Sequence, residues 1–396
     1  MADRITVEGL YKIFGKRSDQ AIRLLADGKS KEMVLAEIDH VVALNDVSLS
    51  VPEGSIYMIM GLAGSGKSTL ARCINRLIEP SAGRIRLDGE DITHVGEARL
   101  RELRRTRISM VFQHFALLPN KTVIENAEFG LKLRGVPPRE RRHKAEEILS
   151  VVGLASWGHY YPDALSGGMR QRVGLARALA TDADVLIMDE AFSALDPLIR
   201  AEMQDELLRL QRVLRKTILF ITHDFQEALR LGTRIAIMSD GAVVREGTPQ
   251  DIVTSPDNDY VAAFTKGVDR SRVYDAASIM TAAAPVVIGV DGLVSFSQPP
   301  GGDQAFAIDT SGRILGVLTP EDRRGLTQGM RLSAAPSRDF VTVRSKDKLC
   351  DVAFACRPGA PVAVIDEEGR LAGSIDLVQI LARICTPGSA PSHKHS

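Results

Sequence analysis

The chain lacks a surplus of charge of either sign: among its 396 residues, 50 Lys and Arg are balanced by 50 Asp and Glu. A general nucleic-acid binder carries a basic surplus, so no nucleic-acid partner is expected. Long apolar runs are missing too. The longest, such as Val185-Leu186-Ile187-Met188 and Ile218-Leu219-Phe220-Ile221, are strand-length, whereas a spanning helix needs about 18 or more apolar residues. The start, Met1-Ala2-Asp3-Arg4, is polar and without the apolar segment of a signal peptide. The sequence therefore reads as cytosolic, reaching a membrane only through a partner. Cysteine is scarce: Cys73, Cys350, Cys356 and Cys385 form no CxxC pair and read as unpaired small hydrophobes. His393 and His395 lie in a Pro/Ser-rich end and read as part of a frayed terminus, not a metal site.

What is present is an ordinary globular balance, 44% hydrophobic and 25% charged, over a length that suits two or three domains. Residues 4–9 alternate as an edge strand. Residues 18–38 read as helix, interrupted at Asp27-Gly28, with Ser30 capping the second part. Strands follow over 41–60, broken at Pro52-Glu53-Gly54. Residues 96–165 are mostly helical and charged, interrupted by the apolar Ile108-Ser109-Met110-Val111-Phe112 and by Pro137-Pro138. From 184 to 247 strands alternate with helices, which points to a largely parallel α/β sheet. Residues 267–277 read as a polar connector. Beyond it, Ile308-Asp309-Thr310-Ser311-Gly312-Arg313-Ile314-Leu315-Gly316 recurs as Ile365-Asp366-Glu367-Glu368-Gly369-Arg370-Leu371-Ala372-Gly373. Each copy of this repeat reads as strand, short helix, a hairpin turning on Asp-x-x-Gly, then helix. Residues 386–396 read as a disordered tail.

The chemistry starts at Gly61-Leu62-Ala63-Gly64-Ser65-Gly66-Lys67-Ser68-Thr69, between the apolar run 56–60 and a helix beginning near Ser68. This is the P-loop pattern in its required context. Gly61, Gly64 and Gly66 let backbone N–H groups turn onto phosphates, and Ser65 lies within that loop. Lys67 suits the β- and γ-phosphates, Ser68 suits Mg²⁺, and Thr69 adds a phosphate contact. The second element is Asp189-Glu190, closing the strand 185–188. Asp189 suits the Mg²⁺ shell and Glu190 the polarising of an attacking water.

Leu165-Ser166-Gly167-Gly168-Met169-Arg170-Gln171 resembles the signature sequence of ABC transporter ATPases. Gln113 after Val111-Phe112 matches that family's Q-loop, Ser193-Ala194-Leu195-Asp196 its D-loop, and His223 its switch histidine. Phe14, with Tyr11 as the fallback, sits where the family has an aromatic that stacks on adenine. The likeness covers residues 4 to about 265. It implies that Glu190, His223 and Gln113 serve hydrolysis and that Ser68, Gln113 and Asp189 hold Mg²⁺. It also implies that Ser166, Gly167, Gly168, Gln171 and Asp196 act on ATP held by the P-loop of a second copy, so that the working unit is a homodimer. Narrower stretches, 190–200 and 168–177, and the helical insert 18–38, resemble the ATPase subunit of glycine betaine/proline importers. The repeat is similar to a tandem pair of CBS domains. The implied fold is α/β: a P-loop ABC ATPase with a mixed sheet core over 1–266, including a helical subdomain over about 96–165. A linker follows over 267–277, then a CBS pair of βαββα type over 278–385. The implied partners are an integral-membrane permease and, indirectly, an extracytoplasmic substrate-binding protein, with the chain peripheral on the cytoplasmic face. In the first repeat Gly316-Val317-Leu318-Thr319-Pro320-Glu321-Asp322 matches a ribose-binding run, through Thr319 and Asp322. The second copy, Gly373-Ser374-Ile375-Asp376-Leu377-Val378-Gln379, departs from it. An adenine-nucleotide regulator and a packing or ion-sensing module without ligand both remain open.

Overall fold

The computed structural model describes residues 2–112, 116–193, 195–297, 305–324, 326–332 and 334–384, and the chain divides between Lys266 and Gly267 into two units. The strands of the first unit are β1 (Asp3–Phe14), β2 (Val41–Pro52), β3 (Ile56–Met60), β4 (Ala82–Leu87), β5 (Glu90–Asp91), β6 (Ile108–Val111), β7 (Val185–Asp189), β8 (Thr217–Thr222), β9 (Arg234–Ser239) and β10 (Ala242–Gly247). In β3, β7 and β8 every residue is buried. Such runs suit a parallel sheet covered on both faces. They form the middle of a six-stranded sheet, β10-β9-β3-β8-β7-β6, parallel except for β10.

β1 and β2 alternate instead, and pair antiparallel in a second sheet of order β2-β1-β4-β5. The largely parallel sheet expected is therefore only one of two, and β1 runs on well past the expected 4–9. The inward residues of the antiparallel sheet, Ile5, Val7, Leu44 and Leu49, share one core with Tyr57 and Ile59 of β3 and Leu70 of the helix Lys67–Ile74.

The insert between β1 and β2 is two helices, Ser18–Ala26 and Lys31–Ile38, and Ser30 Oγ accepts the Met33 N–H as a cap should. They close a small core of Ala21, Val34 and Ile38 over Ile13 and Val42. The helices Val123–Ala127, Phe129–Leu133, Pro138–Val151 and Gly167–Ala180 pack on one another. The apolar stretch at 108–112, expected within the helical part, supplies β6, an edge strand of the main sheet. The expected helical stretch does open with a helix, Glu97–Thr106, which packs on β6, and the strand then separates it from the helices that follow.

In the second unit β11 (Val286–Ile288), β12 (Val294–Ser295), β13 (Ala305–Asp309) and β14 (Ile314–Leu318) form one sheet, and β15 (Val341–Arg344), β16 (Val362–Ile365) and β17 (Leu371–Ile375) another. The repeat is structural: β11 runs parallel to β13 as β15 does to β16, and each second strand turns back antiparallel. In the turns, Asp309 Oδ1 accepts the N–H groups of Ser311 and Arg313, and Asp366 Oδ1 those of Glu368 and Arg370. The two hairpins meet where Leu371 N–H donates to Gly312 O at 2.9 Å.

The second copy has the short helix expected after its first strand, Leu349–Ala355. In the first copy, β12 folds back on β11 instead, because Asp291-Gly292 forms a tight turn, with Gly292 at φ +77° and Asp291 Oδ1 accepting from Leu293. The connector expected over 267–277 is built into this unit. Val273, Tyr274 and Ala276 are buried, and Leu349 N–H and Lys348 Nζ donate to the carbonyls of Tyr274 and Val273. The expected tail, 386–396, lies outside the described residues.

Candidate functional site

Backbone geometry builds the first half of the site. The loop leaves β3 through Gly61, Gly64 and Gly66, each at positive φ, and Gly66 at +98° caps the helix Lys67–Ile74. A side chain on Gly66 would put a Cβ 2.5 Å from Ala43 O of β2, so only glycine lets β2 brace the loop there. Ser65 and Lys67 are buried. Lys67 Nζ folds back on the loop, donating to Gly61 O at 2.9 Å and Leu62 O at 2.8 Å. Burial pushes its ammonium below the ordinary lysine range, and the carboxylates of Glu190 and Asp189 pull it back up. A cation held on carbonyls that phosphate oxygens can replace is suited to an anionic ligand. Thr69 lies beside Ser68 in the first helical turn.

Ser68 Oγ donates to Asp189 Oδ1 at 2.8 Å, across 121 residues of sequence. Asp189 is fully buried at the end of β7, with Arg72 Nη2 3.6 Å from its other oxygen. Two adjacent hard oxygens suit a small divalent cation that keeps waters or phosphate oxygens for the rest of its shell. Among the described residues no three His, Cys, Asp or Glu side chains converge on a metal-sized site. Gln113 lies outside the described residues.

Glu190 is held in the left-handed region, φ +48°, uncommon for a residue with a side chain. Its N–H donates to Ile221 O at 3.0 Å, and its carbonyl accepts from Ser193 Oγ at 2.9 Å. The carboxylate is thus aimed off the strand end, where His223 Nδ1 lies 3.4 Å from Glu190 Oε2. Strand β7 and strand β8 are neighbours, so their ends deliver acid and histidine to one point.

Ser166, Gly167, Gly168 and Asp196 lie together on a different cleft of about 340 Å³, shared with Met169, Arg172, Leu195 and Ile199 and with no P-loop residue. Ser166 and Asp196 are helix N-caps, Ser166 Oγ accepting from Met169 and Asp196 Oδ1 from Ile199. Gln171 does not join them: it is 1% exposed, with both amide atoms lacking a hydrogen-bond partner among the described residues. Its expected contact with nucleotide is not supported by this placement. Phe14 stands half exposed at the end of β1, with Lys12 Nζ 4.9 Å from its ring centre.

Tyr260 escaped the sequence reading. Its hydroxyl accepts the Leu62 N–H at 3.3 Å and donates to Met238 O at 3.2 Å, tying the P-loop to β9. A contact across 198 residues leaves no local pattern to read.

Thr319 and Asp322 are joined to each other. Thr319 Oγ1 donates to Asp322 Oδ2 at 2.7 Å, and Asp322 N–H donates to Thr319 Oγ1, a capping box on the helix Pro320–Arg323.

The family model for ABC transporters matches residues 44–193. The glycine betaine transport ATP-binding protein of Bacillus subtilis is 47% identical over 376 residues, 94% of this chain and 90% of that protein. The glycine betaine/proline betaine transport ATP-binding protein of Salmonella typhimurium is 45% identical over 394 residues, 97% and 98% of the two chains. Among solved structures, a dimeric post-hydrolysis state of an ATP-binding cassette bound to ADP and Pi superposes with a TM-score of 0.53. It is 31% identical and covers 62% of this chain and 98% of that one.

Proposed function

This chain belongs to the ATP-binding subunits of ABC transporters, among those of glycine betaine importers, and on that premise we propose how it works. Two copies bind and split ATP between them to drive import of a quaternary-amine osmoprotectant through a separate permease. The observation that carries this reading is the convergence of Ser68, Asp189, Glu190 and His223 on the ends of neighbouring strands beside the P-loop. Lys67 meets the β- and γ-phosphates. Ser68 and Asp189, with Gln113, would hold Mg²⁺, which would offset charge on the phosphate oxygens. Glu190 takes up the proton of the attacking water, and His223, within reach of the same carboxylate, steadies the γ-phosphate side.

The cleft of Ser166, Gly167, Gly168 and Asp196 has no P-loop residue in its wall. This supports a site completed by a second copy, whose signature residues supply donors to the γ-phosphate only when the two meet. No helix among the described residues is long and apolar enough to cross a membrane. On the proposed reading the chain sits peripherally on the cytoplasmic face, coupled to the permease, with an extracytoplasmic binding protein delivering the substrate. The helical group after β6 is the permease contact. The second unit is a tandem CBS module that regulates transport.

Cutting after Lys266 tests the division of labour. The shortened protein should hydrolyse ATP and co-purify with the permease, while transport loses its response to ionic strength or to adenine nucleotide. Loss of hydrolysis on that cut would make the second unit part of the catalytic scaffold.

A further inference from the structure

The helical insert between β1 and β2 has no part in the chemistry above, yet its two ends are clasped by one buried side chain. His40 Nε2 accepts the backbone N–H of Arg17, at the insert's entry, at 2.8 Å. Its Nδ1 lies 2.6 Å from Ile38 O, at the exit. The N–H donated to Nε2 requires that nitrogen to be bare, so the neutral ring carries its proton on Nδ1 and donates it to Ile38. The ring lies flat on Gly15, where a Cβ would come within 2.2 Å of His40 Cδ2, and Gly15 takes φ +152°. Glycine at 15 and histidine at 40 are therefore one joint.

That joint adjoins the base-stacking candidate on one side and the P-loop on the other. Phe14 precedes Gly15 and pairs with Val41, the residue after His40. Two residues further along β2, Ala43 O braces Gly66 of the P-loop. Where Phe14 stands relative to the phosphate loop thus depends on how the insert is closed.

We propose that His40 is a positioning residue for the nucleotide base: by clasping the insert it fixes the end of β1 and with it Phe14. The inference rests on the reading of Phe14 as the adenine-stacking aromatic. Inorganic triphosphate has no base and separates the two claims. Affinities for MgATP and for Mg-tripolyphosphate are measured by titration calorimetry on the full chain and on Phe14→Ala, His40→Ala, His40→Gln and His40→Asn. Stacking of a base on an aromatic side chain corresponds to about tenfold or more in affinity, so Phe14→Ala and His40→Ala should each weaken ATP by about tenfold and leave tripolyphosphate within about twofold. His40→Gln, whose longer amide reaches the Arg17 N–H, should recover most of the loss, whereas His40→Asn should not.

If Phe14→Ala lowers the ATP-to-triphosphate ratio and His40→Ala does not, the His40 assignment is wrong and the reading of Phe14 stands. If Phe14→Ala leaves the ratio unchanged, that reading fails and the assignment with it. An equal loss of both ligands in His40→Ala makes His40 a general support of the fold and overturns the proposal. Should His40→Ala not fold, Gln and Asn carry the test, and equal ratios in the two overturn it.

Discussion

Thr248-Pro249-Gln250-Asp251 in the first unit and Thr319-Pro320-Glu321-Asp322 in the second adopt the same capping box. In both, the aspartate accepts the threonine N–H at 2.9 Å and its hydroxyl at 2.7 Å, and the threonine oxygen accepts the aspartate N–H at 3.2 Å. Ser68 and Asp189, also in the first unit, are a hydroxyl–carboxylate pair of similar length, 2.8 Å, with a different origin. The box partners are three residues apart and finish a helix end. The Ser68–Asp189 partners come from segments 121 residues apart and meet beside the P-loop. Local pairs that saturate themselves belong to folding; remote pairs brought together beside a glycine-rich loop are what a ligand would use.

The largest effect expected from this contrast is at the remote cluster. Glu190→Gln should slow hydrolysis by about 10²–10⁴-fold while MgATP still binds, because on the proposed mechanism this carboxylate takes the water's proton. Turnover close to the unaltered protein would remove Glu190 from that role.

A smaller effect is expected at the boxes. Thr248→Ala and Thr319→Ala should each cost about 1 kcal/mol of local stability, read by hydrogen exchange of the capped helix, with or without nucleotide. Should Thr319→Ala instead abolish a response to AMP or ATP and leave exchange unchanged, the second unit's box is a binding site and the contrast breaks.

The smallest effect sharpens the contrast from inside the first unit. Glu227 is buried on the helix Phe225–Leu231, and burial raises its pKa despite hydrogen bonds from Thr222 and Gln204. A raised carboxyl binds its proton more tightly in the folded chain, so its contribution is full below the ordinary glutamate range and declines as pH rises through the folded value. Glu227→Gln should therefore melt slightly above the unaltered protein at pH 8 and level with it at pH 4. A reversed order would mean that the ionised form is the one the fold favours.

The legible parts of the molecule were those written in contiguous residues. The buried strands around Val185-Leu186-Ile187-Met188, the P-loop and the doubled Asp-x-x-Gly hairpin each announce themselves within a dozen positions. The Thr319 box was equally local, since Thr-x-x-Asp before a short helix is a capping pattern, but the likeness to a ribose-binding run was read there instead and the cap was missed. Long-range geometry was not legible. The brace of Ala43 on Gly66, the latch of Tyr260 and the clasp of His40 depend on which strands become neighbours. The connector over 267–277 misled because its many charges hid Val273, Tyr274 and Ala276, whose burial decides where it packs.

On the proposed mechanism a working site needs the P-loop of one copy and the signature residues of another. Lys67→Ala disables the first and Ser166→Arg the second, so either variant alone leaves no intact site in its homodimer. In a mixed dimer both lesions fall in one site, and the other, with Lys67 from one chain and Ser166 from its partner, is whole. Mixing the two inactive proteins should restore hydrolysis, with tight binding of one nucleotide per dimer. If the mixture stays as inactive as its components while both variants remain folded, the site is not shared between two chains.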